Sequence, residues 1–273
     1  MRMGATFKGA TMTDQPNKVY FVGAGPGDAE LITVKGARLL REANVVVYAG
    51  SLVDWELVRH YAPTARAYDS AGMDLVQTTE ILVQAFVDGE KAVRLHTGDP
   101  SIYGAIQEQM EALDKAGVPY EVVPGVTSAF AAAATLKQEL TLPEVSQTVI
   151  ITRIAGRTPV PDREKLSEVA RIGATMVIYL SVSMIESVVK ELLSGAYSPT
   201  TPVAVVARAS WPDELVISGT LSDIAVKVKE AGIKKQALIL VGDVLAARRE
   251  GMKAKSQLYD PSFTHGSRKG IVT

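Results

Sequence analysis

The sequence predicts an α/β protein built as two α/β domains, and three observations carry that reading. Apolar runs of strand length alternate with amphipathic runs of helix length through the first half of the chain, the pattern of a mostly parallel sheet. Three of those strand-like runs end in glycine-bearing loops, Gly23-Ala24-Gly25-Pro26-Gly27-Asp28, Thr97-Gly98-Asp99-Pro100 and Pro124-Gly125-Val126-Thr127-Ser128-Ala129. Open α/β sheets bind small ligands at the carboxyl ends of their strands. The pattern then breaks across residues 137–147. Beyond them two apolar runs lie close enough to be antiparallel, so the second sheet is expected to be mixed.

Each element has its own signal. Val19–Val22 is a short strand, and Thr33–Ala43 is helical with Val34, Ala37 and Leu40 on one face. Val45–Tyr48 is a strand of the buried type. Asp74–Val87 is an amphipathic helix ending near Gly89. Strand 91–95, helix 102–116, strand 120–123 and an alanine-rich helix over 127–135 complete the first half. The second half reads as strand 148–153, a loop over Gly156–Pro161, helix 163–171, strand 175–180, helix 184–194, strands 203–208 and 214–218, helix 222–231 and strand 237–241. The expected organisation is a disordered leader (1–17), an N-terminal domain (18–137), a C-terminal domain (138–247) and a flexible basic tail (248–273).

Composition excludes several classes. With 29 basic against 30 acidic side chains in 273 residues, the net charge is −1, which argues against a nucleic-acid or membrane-surface partner. There is no cysteine, so disulfides, thiolate catalysis and zinc–thiolate sites are out. His60, His96 and His265 show no metal-ligand spacing, and no metal site is expected. No apolar run reaches the ~18 residues of a membrane span, and residues 1–17 lack the apolar core of a secretory signal. The expected location is the cytoplasm.

The loops admit more than one role. A dinucleotide-binding loop would read G-x-G-x-x-G and open a helix. Here the spacing is G-x-G-x-G, Pro26 interrupts it and the helix starts later, so the loop is either a structural turn or a rigid wall of a different pocket. Asp99 either caps a helix beginning near Ser101 or, with its backbone neighbours, holds a polar or cationic ligand while Ile102 and Tyr103 cover its flat parts. Thr127 or Ser128 is a natural N-cap, and the helix behind it offers free N–H groups to a ligand. Arg94, Arg153, Arg157 and Arg208 lie at or near strand ends, where solvation of a surface charge is the plain reading. Arg153 and Arg157 share one loop, and arginine forks there suit the carboxylates of a polyanionic substrate. His96 either packs at its strand end or acts as an acid or base; His96 and Asp99 are the only catalytic candidates.

These residues as a set, Val19–Asp28, Leu31–Gly36, Gly98-Asp99-Pro100 and Pro124–Thr127, resemble the tetrapyrrole methyltransferases over roughly residues 18–245. The likeness is to the branch that works on corrinoid precursors of cobalamin. It implies two α/β domains with a ligand cleft between them and S-adenosylmethionine as methyl donor, released as S-adenosylhomocysteine. It places donor contacts at Pro26, Thr97, Gly98, Asp99, Ile102, Thr127, Ser128, Leu180 and Ala209. It also implies a polycarboxylate tetrapyrrole substrate, held by Arg153, Arg157 and Tyr103, and a homodimer. Members that methylate uroporphyrinogen usually carry Tyr-Asp after the second strand, with the aspartate a proposed base; here the pair is Tyr48-Ala49, which disfavours that substrate and removes the obvious base. Three rival readings remain, a corrinoid-pathway methyltransferase acting at C20 or C17, an NAD-dependent oxidoreductase using Gly23–Gly27 and a tetrapyrrole carrier without turnover.

Overall fold

A computed structural model describes residues 17–247, 251, 256 and 260–271. The chain divides into two compact units, Met1–Ala24 with Thr33–Gly125, and Gly25–Ile32 with Val126–Thr273. The expected leader lies outside the described residues except for Asn17, and so does a little under half of the expected tail. Residues 260–271 close on themselves, with His265 and Arg268 paired and the Ile271 N–H donating to Pro261 O (2.9 Å).

The first unit holds β1 (Val19–Gly23), α1 (Val34–Arg41), β2 (Val45–Tyr48), α2 (Trp55–Tyr61), β3 (Arg66–Asp69), α3 (Leu75–Val87), β4 (Ala92–His96), α4 (Ile106–Lys115) and β5 (Tyr120–Val123). All five strands are parallel, in the order β3-β2-β4-β1-β5. Every residue of β1, β2 and β4 is buried, as a sheet covered on both faces requires. Phe21, Val45, Val47, Leu82, Leu113 and Val118 form one core against α3 and α4. Helix α3 begins with a full capping box between Asp74 and Gln77, which satisfies two otherwise orphaned donors.

Two elements here were not expected, α2 and β3. Helix α4 also starts at Ile106 rather than at 102. Tyr103 and Ala105 have φ of +55° and +49°, and left-handed residues cannot continue a right-handed helix.

The second unit holds α5 (Ser128–Thr135), β6 (Val149–Arg153), α6 (Leu166–Val169), β7 (Thr175–Tyr179), α7 (Ile185–Leu193), β8 (Pro202–Ala207), β9 (Leu215–Thr220), α8 (Ile224–Glu230) and β10 (Ala237–Val241). Its sheet runs β6-β7-β10-β8-β9. Only β6–β7 is parallel; β7–β10, β10–β8 and β8–β9 are antiparallel, so the sheet is mixed. One face packs Met176, Ile178, Val205 and Ile239 against Leu166, Val188, Leu192 and Ile224. The other packs Val177, Val206, Leu238 and Leu240 against Ala129 and Ala131–Ala133 of α5, where the missing side-chain bulk lets the helix lie close. That packing draws α5 into the second unit, although the sequence pattern shifts only at 137–147. The helix expected over 163–171 is broken into the four-residue α6 between two 3-10 turns, with Lys165 extended at the break.

Candidate active site

The order of the first sheet selects one edge. From β1 the chain crosses to β2, on the far side of β4, whereas from β4 it crosses to β5, on the far side of β1. The switch point therefore lies between β1 and β4, where open α/β sheets bind ligands. In register, Gly23 of β1 lies beside His96 of β4, and Val22 beside Val123 of β5, so three loops leave the sheet side by side. They touch: a Cβ on Gly23 would sit 2.5 Å from Gly98 O and 2.6 Å from Gly125 Cα, and one on Gly125 only 2.1 Å from Gly98 O. Glycine is required at this crossing because backbone occupies the space of a side chain.

Asp99 ties these loops together. Its Oδ1 accepts from the Ser101 N–H (2.8 Å) and hydroxyl, and its Oδ2 accepts from the Gly125 N–H (2.8 Å). Burial works to raise its pKa, but the Ser101 and Gly125 donors outweigh burial and hold the carboxyl below its usual value. It is ionised at neutral pH and caps a local turn, not the helix expected at Ser101. Between Pro100 and Ala105 the chain doubles back so tightly that a Cβ on Gly104 would meet Pro100 O at 2.1 Å. Tyr103 is exposed there, beside the less exposed Ile102.

In the second unit the candidate residues gather on two clusters. At the start of α5 the Thr127 and Tyr179 hydroxyls are 2.6 Å apart, and the Ala129 N–H donates to the Tyr179 oxygen (3.1 Å). Thr127 stands at the N-cap position, but its own side chain makes no capping bond; the phenol supplies the acceptor instead. Sequence reasoning missed Tyr179, whose one signal is its place at the end of β7. Beyond it Leu180 has φ of +52° and is 65% exposed.

The other cluster joins residues 26–28 to the loop after β8. Trp211 Nε1 donates to Pro26 O (2.8 Å), and the Asp28 N–H donates to Ser210 Oγ (3.0 Å). The Trp211 ring fills the space a side chain on Gly27 would need. Ala209 is buried between Arg208 and Ser210, whose φ values are +49° and +68°. Glu214 accepts from the Ser210 N–H (2.7 Å) and the Thr135 hydroxyl (2.8 Å). Arg208 is committed to Asp213 (2.6 Å), Gln236 and the face of Trp211 (4.0 Å). Of the eight non-glycine residues with positive φ among those described, five (Tyr103, Ala105, Leu180, Arg208 and Ser210) fall in these loops, where strain accompanies function more often than elsewhere.

The two paired arginines separate. Arg153 spends its fork on its own loop, donating to Thr158 O (3.1 Å) and Pro159 O (2.7 Å). Those bonds shape the loop that also carries Arg157. Arg157 is exposed and makes no ion pair among the described residues. Among those residues no group of acidic and histidine side chains is placed to hold a metal ion, and no helix is long and apolar enough to cross a membrane. The groove of about 730 Å³ along β3 and α3, lined by Tyr68, Leu75, Val76 and Val83, includes none of the strand-end loops.

Known proteins resemble this chain along most of its length. A cobalt-precorrin-4 C(11)-methyltransferase of Methanocaldococcus jannaschii is 57% identical over 94% of this chain and 98% of its own. The X-ray structure of a cobalamin biosynthetic enzyme, a cobalt-precorrin-4 methyltransferase, superposes with a TM-score of 0.82 at 48% identity, covering 84% of this chain and 95% of that one. A uroporphyrin-III C-methyltransferase of Thermus thermophilus, solved with S-adenosylhomocysteine, superposes at 0.71 with 33% identity over 84% and 93%. The model of the tetrapyrrole (corrin/porphyrin) methylases matches residues 18–225. This chain therefore belongs to the tetrapyrrole (corrin/porphyrin) methylase family.

Proposed function

We propose that the chain is an S-adenosylmethionine-dependent C-methyltransferase acting on C11 of precorrin-4 or cobalt-precorrin-4. The observation that carries the reading is the crossing of the Gly23, Gly98 and Gly125 loops at the switch point of the first sheet, in a chain that matches a C(11)-methyltransferase along nearly its whole length. Within the family, Tyr48–Val53, His96–Ala105, Thr152-Arg153 with Gly156–Pro161, and Arg208–Glu214 are the segments that favour this substrate.

Thr97, Gly98, Asp99, Ile102, Pro26, Thr127, Ser128, Leu180 and Ala209 are assigned to the donor. Left-handed residues at Leu180, Arg208 and Ser210 turn successive peptide groups out of their strands, which suits a ligand read mainly through backbone donors and acceptors. When bound, S-adenosylmethionine supplies a methyl group on a sulfonium, which is displaced in line as the C–S bond breaks and a C–C bond forms. The protein's part is alignment and exclusion of water. A reduced corrinoid precursor is electron-rich at carbon, so the chain needs no strong base, and none is assigned. Arg157, with Arg153 shaping its loop and Tyr103 opposite in role as an apolar cover, is assigned to the substrate carboxylates. A cytoplasmic homodimer belongs to the same reading, and sedimentation of the purified chain tests the pairing.

The test is calorimetric titration with S-adenosylhomocysteine, NAD serving as control, followed by turnover of precorrin-4 and of its cobalt form with NMR assignment of the new methyl group. Micromolar binding of S-adenosylhomocysteine alone and methylation at C11 are expected. Binding of NAD alone would overturn the class, and a methyl at C20 or C17 would overturn the position.

A further inference from the structure

A guanidinium is costly to bury without a counter-charge. Arg94, in the middle of β4, is 8% exposed and forms no ion pair among the described residues. It lies in register with Phe21 and Val47 of the neighbouring strands. Desolvation pulls its pKa down to about 10. A well-packed methionine would fill such a place at lower cost, so the arginine needs a reason.

Its bonds supply one. Nε donates to Gln109 Oε1 (2.9 Å) and Nη1 to Val47 O (3.2 Å). Gln109 lies on α4 and is itself buried. Arginine has only donors, so it turns the amide oxygen of Gln109 toward itself and the amide nitrogen away. That nitrogen donates to Ala105 O (3.0 Å). Ala105 ends the loop that starts at Thr97, and it and Tyr103 both hold left-handed conformations around a glycine with no room for a Cβ. Conformations of this kind persist only where surrounding bonds over-determine them. The buried charge thus reaches the strained end of the loop through one oriented amide.

We infer that Arg94, acting through Gln109, is a positioning residue that sets the conformation of the Thr97–Ala105 loop and thereby the affinity for the methyl donor. The inference rests on the reading of that loop as donor-binding. A residue kept for stability alone behaves differently, because its losses of affinity would follow its losses of stability from variant to variant.

The experiment compares the wild type with Arg94→Met, Gln109→Met, the double variant and Gln109→Glu, by calorimetry with S-adenosylhomocysteine and by thermal unfolding. Each single variant is expected to bind about tenfold more weakly, the scale of one or two lost hydrogen bonds. The double variant is expected to be no weaker than the poorer single one, since both act on one chain of bonds. Thermal midpoints are expected to fall in the two single methionine variants, which leave Arg94 Nε or Gln109 Oε1 buried without its partner, and to hold in the double variant, which removes both. Gln109→Glu keeps an acceptor for Arg94 and adds a counter-charge but has no donor for Ala105 O, so it is expected to gain stability and still lose affinity. KM for the donor rises in all four while KM for the tetrapyrrole stays constant. Wild-type affinity in a folded Arg94→Met, or losses that track the midpoints, would overturn the inference. If Arg94→Met does not fold, Gln109→Glu decides alone, and wild-type affinity there overturns it. If the wild type itself fails to bind S-adenosylhomocysteine, the donor reading falls and takes this inference with it.

Discussion

His96 stands at the carboxyl end of β4, beside Gly23, with its ring stacked on Phe21 at 5.9 Å between centroids. It is 5% exposed, and its Nε2 has no partner among the described residues. Burial first, and the charge of Arg94 second, pull its pKa down to about 3, so it is neutral at physiological pH and a weak base. That favours the reading of His96 as a packing residue over the acid–base role its place in the motif left open. It also predicts a pH dependence. Above about pH 6.5, the ordinary histidine value, folded and unfolded forms are both neutral and His96 contributes nothing. Below it the unfolded chain takes up a proton that the folded chain refuses, so stability falls as pH drops from 6.5 toward 3. Urea unfolding at pH 7 and pH 5 is expected to show the wild type losing about 2 kcal/mol more than His96→Gln. Equal losses in the two proteins would show that His96 is not held neutral. Asp99 teaches the same lesson at a residue the sequence did single out: its place was legible, but its bonds to Ser101 and Gly125 were not, because they depend on the distance between two loops.

The elements show where sequence pattern suffices. Val45–Tyr48, Tyr120–Val123 and Ala237–Val241 were found to the residue because apolar runs bounded by turns have one reading. Strand β3 escaped because it is an edge strand whose ends, Arg66 and Asp69, are exposed and charged; parallel pairing with β2, not hydrophobicity, makes it a strand. Helix α2 escaped because seven residues behind Asp54 are too few for a helical period to stand out. Helix α4 starts later than its sequence predicts because nothing in Tyr103 or Ala105 announces a positive φ. The three strand-end loops were legible as loops, while their crossing was not, since it follows from the strand order. That crossing predicts a sharp contrast. Gly125→Ala, whose Cβ would fall 2.1 Å from Gly98 O, is expected to cost about 3 kcal/mol or more, because backbone must move. Gly72→Ala meets nothing within 4 Å and is expected to stay within about 0.5 kcal/mol. Equal midpoints in denaturant for the two variants would refute the tight crossing.

For the whole molecule, the charge balance and the proposed substrate pull in different directions. A chain of net charge −1 attracts no polyanion at a distance, so recognition has to be local, and Arg157 is the uncommitted cation of its loop. Arg157→Ala is expected to raise KM for the tetrapyrrole about tenfold without changing the affinity for S-adenosylhomocysteine, an exposed arginine–carboxylate pair reinforced by its fork. The wild-type KM is expected to rise with salt, and the variant's less steeply. An unchanged KM would remove Arg157 from the substrate site. The mixed character of the second sheet was legible from the closeness of its two late strands. The placement of α5 was not, because alanines of one helix fit either neighbour until the sheet that receives them exists.

The bond between Trp211 and Pro26 joins positions 185 apart in the chain. A ribosome adding about 5–20 residues per second delivers Pro26 roughly 10–40 s before Trp211. Throughout that interval the first sheet can close, since its last strand ends at Val123, but Gly25–Ile32 must wait as an unfilled loop on an otherwise finished nascent unit. Trp211 is therefore a late clasp, and the loop it closes is the segment of the early chain most open to proteases or chaperones during synthesis.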